Sequence, residues 1–307
     1  MKAASVQTFR GKLLLNEPMS KHTSWYLGGP ADRYFVPADL DDLKTYLASL
    51  EADVEILWVG RGSNLLVRDG GFRGQVIAPL GALKTVRLED DGTVYAECGI
   101  PCSKLARFCR QHKLAGADFY AGIPGTIGGA LTMNAGAFGG ETWNQVERVV
   151  VINRQGEICE RKPENFEVSY RHVGFPADQW FVAGYFRFSP QIEGELPDIQ
   201  ASLQRRNQTQ PIGQRSCGSV FKNPPGAHAA QLIEASGLKG HRLGTARVSE
   251  KHANFIISEP GTTAADVEAL IELVRHTVKT RFDIHLDTEV RIVGEPAGLR
   301  SETGERP

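Results

Sequence analysis

The sequence predicts an α+β fold in two domains, and three observations support it. The chain has 307 residues, with 41% hydrophobic and 23% charged residues, which is more than one ordinary globular domain. Between residues 75 and 188 short extended runs and turns dominate, and they do not alternate with helices as βαβ units would. A polar stretch with two prolines, Ser189-Pro-Gln-Ile-Glu-Gly-Glu-Leu-Pro197, separates that region from a second set of elements. The expected division is a lead-in over 1–20, a first domain over 21–190, a second over 198–294 and a disordered tail over 295–307.

The elements follow in order. Gly28-Gly29-Pro30 marks a turn into a short strand, Tyr34 to Pro37. Asp39 is a plausible N-cap for a helix carrying Leu40, Leu43, Leu47 and Leu50 on one face. Val54 to Gly60 reads as a buried strand, and Leu65 to Arg68 as apolar extended chain after a turn. Val76 to Leu80, Thr85 to Leu88 and Thr93 to Glu97 are further strands, with Asp91-Gly92 as the best hairpin turn. Ser103 to His112 is a helix. Glu147 to Ile152, Gly156 to Cys159 and Trp180 to Phe188 return to strand. Beyond the boundary, helices are expected over Ile199 to Asn207, Ala229 to Ser236 and Thr263 to Arg281. The last is capped by Thr263 with Asp266 and striped by Val267, Leu270, Ile271, Val274 and Val278. Glu289 to Val293 is the closing strand.

Composition excludes several functions. The 35 basic and 36 acidic residues give a formal net charge of -1, so bulk attraction to nucleic acid or membrane has no support. No apolar run approaches the ~20 residues of a membrane span, and no export signal is visible. The five cysteines lack paired spacing for zinc. The expectation is a cytoplasmic protein without a metal, monomeric by default.

The most unusual stretch runs from Ala121 to Gly140, where seven of 20 residues are glycine and none is charged. Glycine costs conformational entropy, so it concentrates where backbone takes positive φ or approaches something closely. The stretch reads as a folded loop whose amides face a bulky, anionic, partly apolar ligand, such as a phosphate-bearing cofactor. Gly60-Arg61-Gly62-Ser63-Asn64 is a second glycine turn, able to form an anion-binding nest or a plain β-turn. It is not a dinucleotide fingerprint, because Leu65 occupies the third glycine position, and the chain has no P-loop sequence.

Four signatures lie in one order: Val59 to Asn64; Gly122 to Ala130 with Asn134 to Gly139; Gly218-Ser-Val-Phe-Lys-Asn-Pro224; and Glu289-Val-Arg291, with Tyr170-Arg171 between the second and third. In this the chain resembles the UDP-N-acetylenolpyruvoylglucosamine reductases, flavoenzymes of peptidoglycan synthesis, from about Lys21 to Gly294. The resemblance implies an FAD-binding domain of the vanillyl-alcohol-oxidase type, then a smaller α+β substrate-binding domain. It implies non-covalent FAD held by Gly60, Arg61, Gly62, Ser63, Asn64 and Leu65. A second set comprises Gly122, Ile123, Pro124, Gly125, Thr126, Gly128, Gly129, Asn134 and Gly136.

The same resemblance implies NADPH as hydride donor and an enolpyruvyl nucleotide sugar as substrate. Arg171 and Glu289 would stabilise charge developing on the substrate carboxylate, and Ser219 would protonate the adjacent carbon. Tyr170, Lys222, Asn223 and Lys239 are the implied substrate contacts, and His252 is a candidate pocket residue. Taken alone, Ser219 is an ordinary turn serine, Arg171 an ion-pair arginine and both lysines solvated. The segment from Gln191 to Ser216 lacks the insertion that in one branch supplies a tyrosine closing over the nucleotide. Thr209 and Val173 also depart from the common pattern. An oxidase of small alcohols on the same flavin fold, or a non-enzymatic flavin or nucleotide-sugar binder, are the alternatives.

Overall fold

The computed structural model describes residues 9–174, 176–191 and 199–298. Helices and short strands alternate irregularly, as an α+β chain should. The chain builds two compact units and passes between them at 15/16, 32/33, 60/61, 73/74 and 197/198. Besides the C-terminal part, the second unit takes Asn16–Asp32 and Arg61–Arg73. A linear division does not anticipate this exchange of segments. The expected proline-marked boundary lies outside the described residues from 192 to 197. So does part of the segment expected to lack the tyrosine insertion.

The first unit contains a five-stranded antiparallel sheet, ordered Ile158–Arg161, Val146–Asn153, Gln179–Phe186, Val94–Glu97, Val86–Leu88. The Asp91-Gly92 hairpin is present, with Gly92 at φ 79° and Glu89 N–H donating to the Thr93 carbonyl at 2.8 Å. Helix Leu40–Ala48 starts at Asp39, whose carboxylate accepts from Asp42 N–H at 2.9 Å. Its Leu43 and Leu47 are fully buried against Phe35 and Ile152, as their spacing requires. Helix Cys102–Gln111 buries Cys102, Leu105 and Cys109 in a second core with Phe119, Tyr120 and Phe186. Val173 belongs to that core, which accounts for an apolar residue at that position.

The glycine-rich stretch corrects one expectation. Ile127–Met133 is a helix, not a loop. Thr126 caps it by accepting from Gly129 N–H, and Asn134 ends it in the left-handed region at φ 43°. Ile127 and Leu131, one turn apart, are fully buried. A Cβ at Gly128 would lie 2.9 Å from the Cys98 Cβ. Here glycine allows a helix to sit close to its neighbour, and that packing outweighs its poor helix propensity.

The second unit is organised around helix Ala264–Phe282, whose stripe Val267, Leu270, Ile271, Val274 and Val278 is buried. The expected Thr263–Asp266 capping box is present in both directions. Around it lie helix Ala229–Ala235, the antiparallel strands Arg242–Leu243, Ala246–Val248 and Ile256–Ser258, and the parallel pair Leu65–Val67 with Arg291–Val293. Trp25 is part of this core, its indole N–H donating to the Ile256 carbonyl at 2.8 Å.

Both ends of the described chain carry ordered contacts. The lead-in contains strand Lys12–Pro18 and the buried Met19. Glu295, the first residue of the expected tail, is held by backbone bonds with Gly70 and Gly71 and by an ion pair to Arg73 at 3.0 Å. A side chain at Gly70 would collide with the Glu295 and Pro296 carbonyls, so glycine permits the close approach. Residues 299–307 lie outside the described part. Among the described residues no helix is long and apolar enough to cross a membrane, and no side-chain group could hold a metal ion.

Candidate active site

In the first unit the glycine segments meet at Gly60 and Thr126. A Cβ on Gly60 would lie 2.5 Å from the Thr126 Oγ1. Gly129, on the next turn, would meet only that hydroxyl, at 3.8 Å, so its outer face is open to a ligand. The amides are used differently from the expectation. Ile127 N–H donates to the Ile100 carbonyl, Gly128 N–H to the Cys98 carbonyl and Gly129 N–H to the Thr126 hydroxyl. What the helix start offers is an uncharged backbone surface, which suits close approach of a cofactor more than capture of phosphate by these three amides. Gly122 serves packing, since a Cβ there would strike Phe138 and Ala137. An FAD fits a surface of this kind, open at Gly129 and closed to side chains at Gly60.

Asn134 and Gly136 hold Arg171. The Arg171 guanidinium donates to the Asn134 carbonyl at 3.2 Å and to the Gly136 carbonyl at 3.0 Å. It stands 3.9 Å from the Glu141 carboxylate and over the exposed ring of Tyr170. Asn134 is itself fixed, its amide donating to Glu141 Oε2 and the Ser169 carbonyl while its Oδ1 accepts from Trp143 N–H. Arg171 occupies the turn between strands Glu167–Ser169 and His172–Gly174, at φ 54°. The buried Asn134, expected as a cofactor contact, is in this structure the hub that orients Arg171.

In the second unit the other motifs converge. Gly62 is left-handed, at φ 59°, and a Cβ there would fall 2.0 Å from the His22 carbonyl oxygen. Asn64 Nδ2 donates to the Glu289 carbonyl at 3.0 Å, and Arg291 N–H donates to the Asn64 carbonyl at 3.1 Å. The Val220 carbonyl accepts from Glu289 N–H at 2.8 Å, and Lys222 N–H donates to the Asp287 carbonyl at 2.9 Å. The segment containing Ser219 therefore runs in register with the one containing Glu289, with Asn64 on the latter's other side. Ser219 and Glu289 are both half-buried. Burial first, and then the nearby Glu289 carboxylate, push the Cys217 thiol well above its ordinary range, so it stays protonated.

The remaining candidates are dispersed within this unit. Asn223 Oδ1 accepts from Ala229 N–H at 3.0 Å and so starts helix Ala229–Ala235. Lys239 is exposed and paired with Glu234 at 2.7 Å. Thr209 is exposed in the last turn of its helix, its hydroxyl bonded to the Arg205 carbonyl. His252 is held below its ordinary pKa by burial, with Lys239 lowering it further. Its Nδ1 accepts from Asn254 N–H at 3.3 Å, which places the neutral ring's proton on Nε2. Sequence reasoning passed over Asn254 and Glu141, because each acts through partners distant in the chain.

Two family models match this chain. One is described as the C-terminal domain of UDP-N-acetylenolpyruvoylglucosamine reductase and covers residues 210–293; the other is an FAD binding domain and covers 31–161. The UDP-N-acetylenolpyruvoylglucosamine reductase of Alkalilimnicola ehrlichii is 54% identical over 296 residues, 96% of this chain and 99% of the relative. That of Methylococcus capsulatus is 54% identical over 287 residues, 93% of this chain and 94% of the relative. The crystal structure of the Thermus caldophilus reductase matches with a TM-score of 0.79 at 29% identity, covering 93% of this chain and 99% of that one.

Proposed function

Because this chain belongs to the UDP-N-acetylenolpyruvoylglucosamine reductase family, we propose that it reduces UDP-N-acetylglucosamine enolpyruvate to UDP-N-acetylmuramate, with FAD as cofactor and NADPH as reductant. The observation that carries this reading is the register of Ser219 with Glu289 through the Val220 carbonyl. When bound, FAD would supply hydride chemistry, with NADPH as the source and the enolpyruvyl methylene carbon as the acceptor. The surface at Gly60, Thr126 and Gly129 in the first unit would hold the cofactor.

The side chains supply what remains. As negative charge builds on the substrate carboxylate, a guanidinium already oriented by two carbonyls stabilises it without reorganising. Arg171 is oriented in this way by Asn134 and Gly136. Ser219 Oγ gives its proton to the carbon beside the carboxylate, and the serine regains one from solvent. A serine is a weak acid, so this step demands accurate placement and a strongly basic acceptor. Glu289 acts protonated or through an ordered partner, since an ionised carboxylate would repel the developing charge. Lys222 and Lys239 offer donors to the nucleotide phosphates.

A visible spectrum tests the proposal. Purified protein should show flavin bands that bleach on anaerobic addition of NADPH and return on addition of the enolpyruvyl nucleotide. Bands that stay bleached would overturn the substrate assignment, and a colourless protein unable to take up FAD would overturn the cofactor as well.

A further inference from the structure

Asn254 is 4% exposed and lies in the tight connection between strands Ala246–Val248 and Ile256–Ser258. Its side chain behaves as a piece of strand backbone. Phe221 N–H donates to Asn254 Oδ1 at 3.0 Å, and Asn254 Nδ2 donates to the Phe221 carbonyl at 2.8 Å. The main-chain carbonyl of Asn254 accepts from Val220 N–H at 2.9 Å. Three bonds therefore join one buried residue to the two residues after Ser219.

Those bonds act on Ser219 directly. The Val220 N–H belongs to the peptide unit that begins at the Ser219 Cα, so fixing that unit fixes the ψ angle of Ser219. On the other edge the Val220 carbonyl accepts from Glu289 N–H at 2.8 Å, and Phe221 bridges Thr288. The segment is thus held from both sides, by Asn254 and by residues 287–290. On the N-terminal side Gly218 is left-handed, at φ 83°, a conformation that costs glycine little and turns the chain into the serine.

Asn254 is held in place in turn. Ser249 Oγ accepts from Lys251 N–H and His252 N–H, and Phe255 N–H donates to the His252 carbonyl at 3.0 Å. An amide buried at this level leaves polar groups unsatisfied if its partners move, which makes the arrangement all-or-none.

We propose that Asn254 is the positioning residue for Ser219, aligning the Ser219–Phe221 backbone with Glu289 so that the serine hydroxyl meets the substrate carbon. It touches neither substrate nor cofactor; it acts through the peptide next to the serine. The inference rests on the reductase reading, so wild-type protein is run in parallel. Wild-type bands that fail to return with the enolpyruvyl nucleotide would sink that reading instead.

The test compares wild type, Asn254→Ala, Asn254→Asp and Ser219→Ala by stopped flow. In Asn254→Ala, flavin reduction by NADPH should keep its wild-type rate, while kcat falls about 10- to 100-fold, the scale of an ångström-level misplacement. The KM for the nucleotide should stay within about two-fold, and the solvent deuterium isotope effect on kcat should rise as proton transfer becomes limiting. Amide exchange at Val220 and Phe221 should accelerate in protein without substrate. Asn254→Asp keeps the volume and an acceptor for Phe221 N–H, so it should show a smaller loss of the same kind and guards against misfolding of the alanine variant. Turnover and isotope effect unchanged in a folded variant would overturn the proposal. So would equal slowing of both half-reactions, or failure of both variants to fold and hold flavin.

Discussion

Arg171 sits at φ 54°, where a side chain is strained, and such strain persists only where neighbours over-determine it. The carbonyls of Asn134 and Gly136 do so here. A Cβ at Gly136 would lie 2.3 Å from the Gly140 carbonyl oxygen and 3.2 Å from an Arg171 nitrogen. Gly136→Ala should therefore lower turnover about 10- to 100-fold by displacing the guanidinium, with flavin content unchanged. Steady-state rates normalised to bound flavin measure this, and an unaltered rate would remove the hub from the argument. His252 carries a different prediction. Burial lowers its folded-state pKa below 6.5, with the Lys239 charge adding to the effect. As pH falls through 6.5 the unfolded chain takes up a proton first, so the folded state loses stability down to the lowered value. His252→Gln should flatten that part of the pH dependence, seen as a smaller Tm difference between pH 7.5 and 5.5 than in wild type.

Helices differ in what holds them, and so in what each reveals in sequence. The helix Ala264–Phe282 has a regular apolar stripe and a capping box, both legible as residues. Its third support was not legible: Asp69 accepts from Ala264 N–H at 2.9 Å and Ala265 N–H at 3.0 Å, across almost two hundred residues. A carboxylate at a helix N-terminus satisfies orphan donors and faces the positive dipole end. Asp69→Ala should destabilise by about 1–3 kcal/mol, measured by chemical denaturation, whereas Thr263→Ala should cost only about 1 kcal/mol. If Asp69→Ala left the denaturation midpoint unchanged, the long-range cap would be adding nothing. Helix Ile127–Met133 shows the opposite limit. Its glycines argue against a helix, and the fit of Gly128 against Cys98 explains why glycine stands there. Gly129 has no such neighbour. Gly129→Ala should stabilise the flavin-free protein by up to about 1 kcal/mol through helix propensity, yet weaken FAD binding. Unchanged FAD affinity in a flavin titration would mean that this face does not meet the cofactor.

At the scale of the molecule, the second unit is not a contiguous stretch of sequence. Its largest segment is the C-terminal one, and local sequence patterns carry no trace of the other two. Asn16–Asp32 contributes Trp25, fully buried, whose indole donates to the Ile256 carbonyl at 2.8 Å while its own carbonyl accepts from Ser258 Oγ at 2.7 Å. Arg61–Arg73 contributes Leu66, 1% exposed, the strand paired with Arg291–Val293, and the Arg68–Glu268 ion pair at 2.7 Å. Removing one large core side chain costs about 3–5 kcal/mol, a large part of the ~5–15 kcal/mol that keeps a domain folded. A fragment of residues 198–307 would lose Trp25, Leu27 and Leu66 together, with the only strand that pairs Arg291–Val293 among the described residues. Expressed alone, it should show no cooperative thermal unfolding and little amide dispersion. Adding residues 16–32 and 61–73 back through designed linkers should restore both. A cooperative melt of the bare fragment would mean that the C-terminal segment carries enough core by itself, and that these two insertions serve the site at Asn64 and Glu289 more than the fold.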